Sequence, residues 1–435
     1  MRFLSFLFFV ILLFSATPLF AADLVPDENE FINFLNALKI EAVDAGISEV
    51  TVDAAFKNVK EPDKRVIELD RKQPEFNQDF TSYMGILVKE ERIAKGRELM
   101  KQHRVMLGKI YKEYGIPPNI IIAFWGVESN YGTRKGKMSL MQSLTTLTYD
   151  NRRSKFFKAE LMNALKILDR KERTVDTLVG GWAGAMGHFQ FMPSTYLTYA
   201  IDFNGDGKKD IWDDFEEAAY SAANYLQRIG WKKGQLWGRE VKLPRNFPYG
   251  RFYPQVKKPL SFWKKQGVTF ASGKPLSTLV DFEAEIVLPE GRHGPAFLAY
   301  DNYRVIKRWN NSVLYALAVG LLSNQIAFHE PLIYKKGKYA TPPLSGASVK
   351  KLQDRLRQLG YYSGTSTGIL GPVTTRSIQH VQRDLNLTQD GYPTPSFLKK
   401  LYADDFKKEV EAANKKKATA SKKKIKQVPE KKTGE

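Results

Sequence analysis

The sequence predicts a mainly α-helical protein with a small β-containing segment and a separate small helical module near its C-terminal end. Three observations carry this. Over most of residues 25 to 240, apolar residues recur at three- and four-residue spacing, in runs stopped by glycine or proline. Residues 241 to 300 hold more proline, glycine and β-branched residues, and LVDFEAEIVLPEG reads as strands with turns. A break around YKKGKYATPPLSG precedes two further amphipathic runs, SVKKLQDRLRQLGYY and TTRSIQHVQRDLNL, about a glycine-rich turn.

The chain begins MRFLSFLFFVILLFSATPLFAA, a basic start, an apolar run and a small-residue end. This reads as an export signal over residues 1–22, too short in its apolar part for a membrane span. Helices then follow in FINFLNALKIEAVDAG, GISEVTVDAAF and ERIAKGRELMKQHRVMLGKIYKEYG, the last stopped by Gly115. Pro117–Pro118 open the strongly apolar PNIIIAFWGVESNYG. NSVLYALAVGLLSNQI returns to helix after the β-rich segment. From Tyr402 onward the chain reads as a disordered basic tail, with nine lysines against two glutamates from Ala412 to the end. Such a tail suits anionic envelope polymers, and with no nucleic-acid motif present, nucleic acid is not an expected partner.

The whole chain of 435 residues carries 67 basic and 47 acidic side chains, a formal charge of +20. With no cysteine there is no disulfide, thiolate nucleophile, iron–sulfur cluster or cysteine-bound zinc. The five histidines show no HExxH spacing, and neither GxGxxG nor GxxxxGK[ST] occurs, so an organic nucleotide cofactor is not expected.

Glu128 is the candidate reacting group. It ends an apolar helix, with Phe124 and Trp125 on its side one turn back. Partial desolvation, aided by the helix C-terminus, raises a carboxyl pKa and suits a general acid. The alternative is an end-of-helix glutamate in water. Glycosidases usually need two carboxylates, and no second one is evident. Asp150, before Asn151–Arg152–Arg153, reads equally as an ion-paired turn, and Glu160 reads as solvent-facing.

The segment Gly180–Gly187 allows close backbone approach. Trp182 and Phe189 are candidates for stacking on sugar faces and Gln190 for donating hydrogen bonds; a tight helix crossing is the alternative. His188 reads as structural. The run DFNGDGKKD places oxygen ligands at Asp202, Asn204 and Asp206, a backbone carbonyl at Lys208 and the turn glycine at Gly207. Position twelve is Asp213, so Glu216 or Glu217 is expected to complete the cage, and structural Ca2+ is the expected cofactor. An Asx-rich turn without metal is the alternative.

The phrases YGIPPNIIIAFWGVESNYG, LTYDNRRSKFFKAEL, GWAGAMGHFQFMPSTY, DFNGDGKKDIW and WNNSVLYALAV, with LDRKQPEF at 69–76 and SAANYL at 221–226, resemble the membrane-bound lytic murein transglycosylase B family in a soluble form. The resemblance covers about residues 25 to 330. It implies a lysozyme-like transglycosylase core with an added helical N-terminal region. It also implies cleavage of peptidoglycan between N-acetylmuramic acid and N-acetylglucosamine, with 1,6-anhydromuramoyl ends, by Glu128 acting first as acid and then as base. A hydrolytic muramidase and a non-catalytic wall-binding protein are the competing readings. Tyr83, Met186, Gln190, Tyr225, Trp309 and Asn310 fall on saccharide-binding positions. Gly181 stands where the family commonly has serine, and Trp309 where it often has tyrosine, which keeps a platform but loses a hydroxyl. Residues 345–401 resemble the three-helix peptidoglycan-binding domain, with Thr367 at its usual aspartate. The expected layout is signal 1–22, catalytic domain 23–330, linker 331–344, binding domain 345–401 and tail 402–435, in the periplasm.

Overall fold

The computed structural model describes residues 28–72, 78–329, 331–335, 343–408 and 410–411. The export signal, residues 73–76 of LDRKQPEF, residues 336–342 of the linker and the lysine-rich end from Ala412 lie outside them. Three apolar cores organise the described residues.

The largest is helical and is centred on two helices, Pro118–Ser129 and Val313–Phe328, packed against each other. Both are apolar on nearly every side, as helices buried on all faces must be. Pro118 opens the first without losing a hydrogen bond. Its end is a sharp reversal in which Asn130, Tyr131 and Gly132 all have left-handed φ, at 49°, 59° and 80°. The reversal folds the Tyr131 ring back over Gly126, where any Cβ would lie 2.8 Å from the ring. The Tyr131 hydroxyl donates to the Arg92 carbonyl at 2.7 Å. The buried Arg92 in turn donates to the carbonyls of Ile86 and Leu87 and to Asn130 Oδ1. One guanidinium thus ties the end of helix Phe80–Leu87 to the end of helix Pro118–Ser129.

The β-rich stretch forms a five-stranded antiparallel sheet in the order Lys257–Pro259, Glu283–Val287, Ala296–Ala299, Gly238–Lys242, Thr269–Phe270. Its register sets Glu285 and Gly238 opposite Ala299. The sheet carries the second core and meets the helical part at several points, two of which flank its strands. Trp237 donates to Asn324 at 3.0 Å and fills the space that a side chain at Gly320 would need. Glu290 accepts from the Phe80 amide at 2.8 Å, anchoring the start of the helix that carries Tyr83.

The third core belongs to helices Gly346–Gln358, Pro372–Asp384 and Pro395–Leu401. Buried Gln353 braces their glycine turn, donating to Ile369 and Thr374 and accepting from Gly368. Thr367 accepts from the Ile369 amide, so a hydroxyl caps this turn. The module rests on the sheet through Gln379 to the Tyr253 carbonyl, 2.9 Å, and Arg292 to Thr388, 2.6 Å. The first residues of the expected tail are part of this core, because Phe406 is buried in it against Tyr361. An aromatic residue five places beyond the expected end of the module at residue 401 had a ready apolar surface to cover.

Glu160 is buried, contrary to the expectation of a solvent-facing residue. It accepts from the Ser194 amide at 2.9 Å and hydroxyl at 2.7 Å. Its charge therefore sits on the unsatisfied amides that open helix Pro193–Tyr199. Asp150 is the ion-paired turn, held by both guanidinium nitrogens of Arg71 at 2.9 and 2.7 Å. Glu160→Ala is expected to cost about 1–3 kcal/mol and to lower the calorimetric melting temperature by a few degrees. An unchanged melting temperature would show that the cap is not stabilising.

Candidate active site

Glu128 is the penultimate residue of helix Pro118–Ser129 and keeps only an accessible edge. Oε1 accepts from the Trp309 indole N–H at 2.8 Å and from the Tyr315 hydroxyl. Phe124, one turn earlier, lies under both donors, with its ring centroid 4.6 Å from Trp309 and 6.3 Å from Tyr315. Burial raises the Glu128 pKa to about 7, against the opposing pull of the Tyr315 and Trp309 hydrogen bonds. Among the described residues no charged neighbour contributes to that shift. The carboxyl therefore holds its proton near neutrality and loses it without a large change of environment, as one group serving in turn as acid and base requires.

Tyr315 was not singled out from sequence. It lies in the first turn of the helix capped by Ser312, within WNNSVLYALAV. A lone hydroxyl in so apolar a run was the available signal, since a buried tyrosine needs a polar partner. Its own pKa is pushed well up by burial and by Glu128, so it remains a neutral donor. Tyr83 and Tyr225 stand near it.

The other expected residues divide. Trp309 sits at the centre of a ring cluster with Tyr225 at 4.7 Å, Phe191 at 5.5 Å and Phe124. It loses the expected hydroxyl but supplies an N–H in its place. Asn310 is exposed at the C-terminal end of helix Asp301–Trp309. Gln190 takes a left-handed φ of 51° and commits its amide nitrogen to the carbonyls of Lys135 and Gly187. Its free group is an acceptor, Oε1, and not the expected donor. Met186 has no accessible surface and bridges to Phe191 through the backbone, so it backs the site from within. Phe189 is likewise buried and cannot meet a sugar, while Trp182 is partly exposed. His188 accepts from the Trp125 indole at 2.9 Å, and burial lowers its pKa to about 4, which keeps it neutral and structural.

Two of the four glycines of the glycine-rich segment, Gly180 and Gly187, are needed for close backbone contact. A Cβ at Gly180 would meet the Ala185 carbonyl oxygen at 2.2 Å, and one at Gly187 the Ile211 carbonyl oxygen at 2.3 Å. Gly181 differs, since its nearest neighbour there would be Gln190 Oε1 at 3.4 Å. The small residues at Gly180 and Gly187 thus serve close approaches between loop backbones and not the helix crossing that was the alternative, and space is left only at Gly181.

In the loop Asp202–Asp210, Asp202 accepts from the Gly205 and Gly207 amides, Asn204 from Asp206, and Asp206 from Lys208. With the Lys208 carbonyl, these are hard oxygen donors suited to Ca2+. Of the two expected closing ligands, Glu217 is engaged elsewhere. Glu217 is fully buried and takes the amides of Phe203, Asn204 and Asp210, which fastens the loop to its helix. Glu216 lines a pocket with His103, Asp210, Asp213 and Asp214. Among the described residues no three acidic or histidine side chains converge as a metal site.

Residues 30–324 match the Transglycosylase SLT domain family, and residues 345–401 match a peptidoglycan binding domain. The membrane-bound lytic murein transglycosylase B of Escherichia coli (strain K12) is 31% identical over 258 residues, 58% of this chain and 68% of that protein. SltB3 from Pseudomonas aeruginosa, solved in complex with NAG-anhNAM-pentapeptide, is 39% identical, with a TM-score of 0.80 over 86% of this chain and 99% of that one. The Escherichia coli lytic transglycosylase SLT35 in complex with calcium is 26% identical, with a TM-score of 0.58 over 68% of this chain and 93% of that one.

The raised Glu128 pKa carries a stability consequence. A buried carboxyl whose folded pKa lies above its unfolded value of 4.5 favours folding least at high pH. The cost builds between 4.5 and about 7 and is complete above that. It amounts to at most about 3 kcal/mol. Glu128→Gln removes it, so the variant should gain melting temperature over wild type at about pH 8 but not at about pH 4. A gap that does not change with pH would show the carboxyl to be unperturbed. An apolar helix ending in an enclosed carboxyl, inside a domain matched over more than half of the chain, places this protein in the SLT lytic transglycosylase family.

Proposed function

We propose that the chain is a lytic transglycosylase of peptidoglycan in which Glu128 is the single acid and base. It cleaves the β-1,4 bond between N-acetylmuramic acid and N-acetylglucosamine. The feature that supports this is an enclosed glutamate, held on Oε1 by two uncharged donors, whose pKa burial raises to about 7 with no second carboxylate contributing to the shift among the described residues. A hydrolase of two-carboxylate type needs a partner a few ångströms away. Here the nucleophile comes from the substrate. Protonated Glu128 gives its proton to the glycosidic oxygen as the bond to C1 breaks. The resulting carboxylate then takes the proton of the muramoyl C6 hydroxyl as O6 bonds to C1 of the same ring. The 1,6-anhydro end forms, no water is consumed, and Glu128 is protonated again. The intramolecular nucleophile also removes the entropy of bringing in a second reactant, and the muramoyl N-acetyl group assists by stabilising charge at C1.

Tyr83, Tyr225, Trp309 and Asn310 bind the glycan around the acid, and Gln190 accepts a sugar hydroxyl through Oε1. The C-terminal module holds the enzyme on its polymer, and the basic tail contacts anionic envelope polymers. The setting is the periplasm after export. Among the described residues no single helix is long and apolar enough to cross a membrane.

Mass spectrometry of digested sacculi tests the reaction. Wild type should release products lighter by one water than hydrolytic muropeptides, and Glu128→Gln should lower turnover by at least about a thousand-fold, as expected when the only acid and base is removed. Hydrated products alone would establish a muramidase, and full turnover by Glu128→Gln would remove Glu128 from the chemistry. The dependence on pH follows from the same group: kcat/KM should fall as pH rises through about 7, where the acid is lost.

Ca2+ is proposed as a stabilising ion on Asp202, Asn204, Asp206 and the Lys208 carbonyl, with Glu216 and not Glu217 as the candidate closing ligand. The oxygen-donor spacing supports it. Adding Ca2+ to chelator-treated protein should raise the melting temperature by linkage and leave turnover per folded molecule unchanged. No shift at millimolar Ca2+ would remove the ion from the loop.

A further inference from the structure

The two groups that hold the Glu128 carboxyl end on the same oxygen. Trp309 Nε1–H and the Tyr315 hydroxyl both donate to Oε1, while no donor reaches Oε2 among the described residues. An oxygen that accepts two hydrogen bonds is a poor place for the acid's own proton, whose hydrogen would face the two donors. The proton of the neutral acid therefore belongs on Oε2. Exchanging the oxygens by rotation would break both bonds at once.

Trp309 is itself fixed for this task. Its indole is packed by Phe124 at 4.6 Å, Tyr225 at 4.7 Å and Phe191 at 5.5 Å, so the N–H direction is set by three rings from three elements. Tyr315 is held by the helix that packs on Glu128. The groups facing the carboxyl are these two donors, an indole and a phenol that burial and Glu128 keep protonated, with Tyr83 and Tyr225 beside Tyr315.

We propose that Trp309 is a positioning residue for proton transfer, which with Tyr315 immobilises Oε1 of Glu128 so that Oε2 alone gives the proton to the glycosidic oxygen and takes it back from the C6 hydroxyl. This rests on Glu128 being the single acid and base. A stacking surface alone would require the indole ring but not its N–H. Each donor also stabilises the carboxylate, so its removal lets burial raise the acid's pKa further.

The test is the pH dependence of kcat and KM on soluble uncross-linked glycan strands for wild type, Trp309→Phe, Tyr315→Phe and Glu128→Gln. Trp309→Phe keeps an aromatic ring and loses the N–H. It should lower kcat on the order of ten-fold, the scale of one hydrogen bond to a charged group, and move the alkaline fall of kcat/KM to higher pH. Tyr315→Phe should move it the same way. A rise in KM with kcat and the alkaline fall unchanged would show Trp309 to be a platform only and would overturn the proposal. Full turnover by Glu128→Gln would instead overturn the reading beneath it, so the two failures are distinguishable. Infrared difference spectra of unsubstituted protein against Glu128→Gln give a measurement that needs no Trp309 variant. The neutral carboxyl C=O stretch should lie low, as for a carbonyl accepting two hydrogen bonds, and a band at the position of a free carboxyl carbonyl would overturn the proposal.

Discussion

A carboxyl group at the end of an apolar helix is stable only if its surroundings decide which protonation state to favour. Here the packing of helix Pro118–Ser129 against helix Val313–Phe328 makes that decision. The contact removes water from Glu128 and, in the same step, delivers the Tyr315 hydroxyl to it. Desolvation alone would push the acid far up, and two donors alone would pull it down. Their opposition leaves it near 7. The same packing thus accounts for the acid's chemistry and its position.

Much of the remaining structure keeps that contact in place. The left-handed turn at Asn130–Gly132 ends the acid helix abruptly, and Tyr131 and Arg92 pin it to the helix that carries Tyr83. The Trp125–His188 bond and the Ser129 hydroxyl, which donates to the His188 carbonyl at 2.7 Å, fasten the opposite side to the glycine-rich segment. That segment is in turn held by its close approach to Ile211, beyond the loop that Glu217 anchors. The sheet contributes at a distance, through Glu290 at the start of the Tyr83 helix and Trp237 against Gly320. The Trp125–His188, Ser129–His188 and Glu217 contacts use buried polar groups with hydrogen-bond partners, which specify an arrangement more sharply than apolar packing alone.

The residues read correctly from sequence are those whose role follows from local pattern. The apolar run ending at Glu128, the glycine stops and the strand-rich 241–300 stretch all depend on neighbours a few positions away. The misread ones have distant partners. Glu160 looked solvent-facing because its helix is amphipathic, yet Ser194 arrives 34 residues later and buries it. Gln190 looked like a donor until Lys135, 55 residues earlier, took its amide nitrogen. Glu217 looked like a metal ligand until three loop amides occupied it. Phe406 looked like the start of a tail because no periodic run marked it, and only the exposed end of the module's core explains its burial.

Sequence by itself determined the helical class, the confined sheet and the separate C-terminal module, and it singled out Glu128 as the candidate reacting carboxyl, because amphipathic period, turn chemistry and a glutamate closing an apolar run are written in adjacent residues. It could not determine how the carboxyl is held. Trp309 and Tyr315 lie 181 and 187 residues from Glu128, and no local rule states that an indole N–H and a phenol will meet on one carboxylate oxygen. Only the crossing of two helices and the ring cluster around Trp309 decided that, since hydrogen-bond direction depends on the relative placement of whole elements.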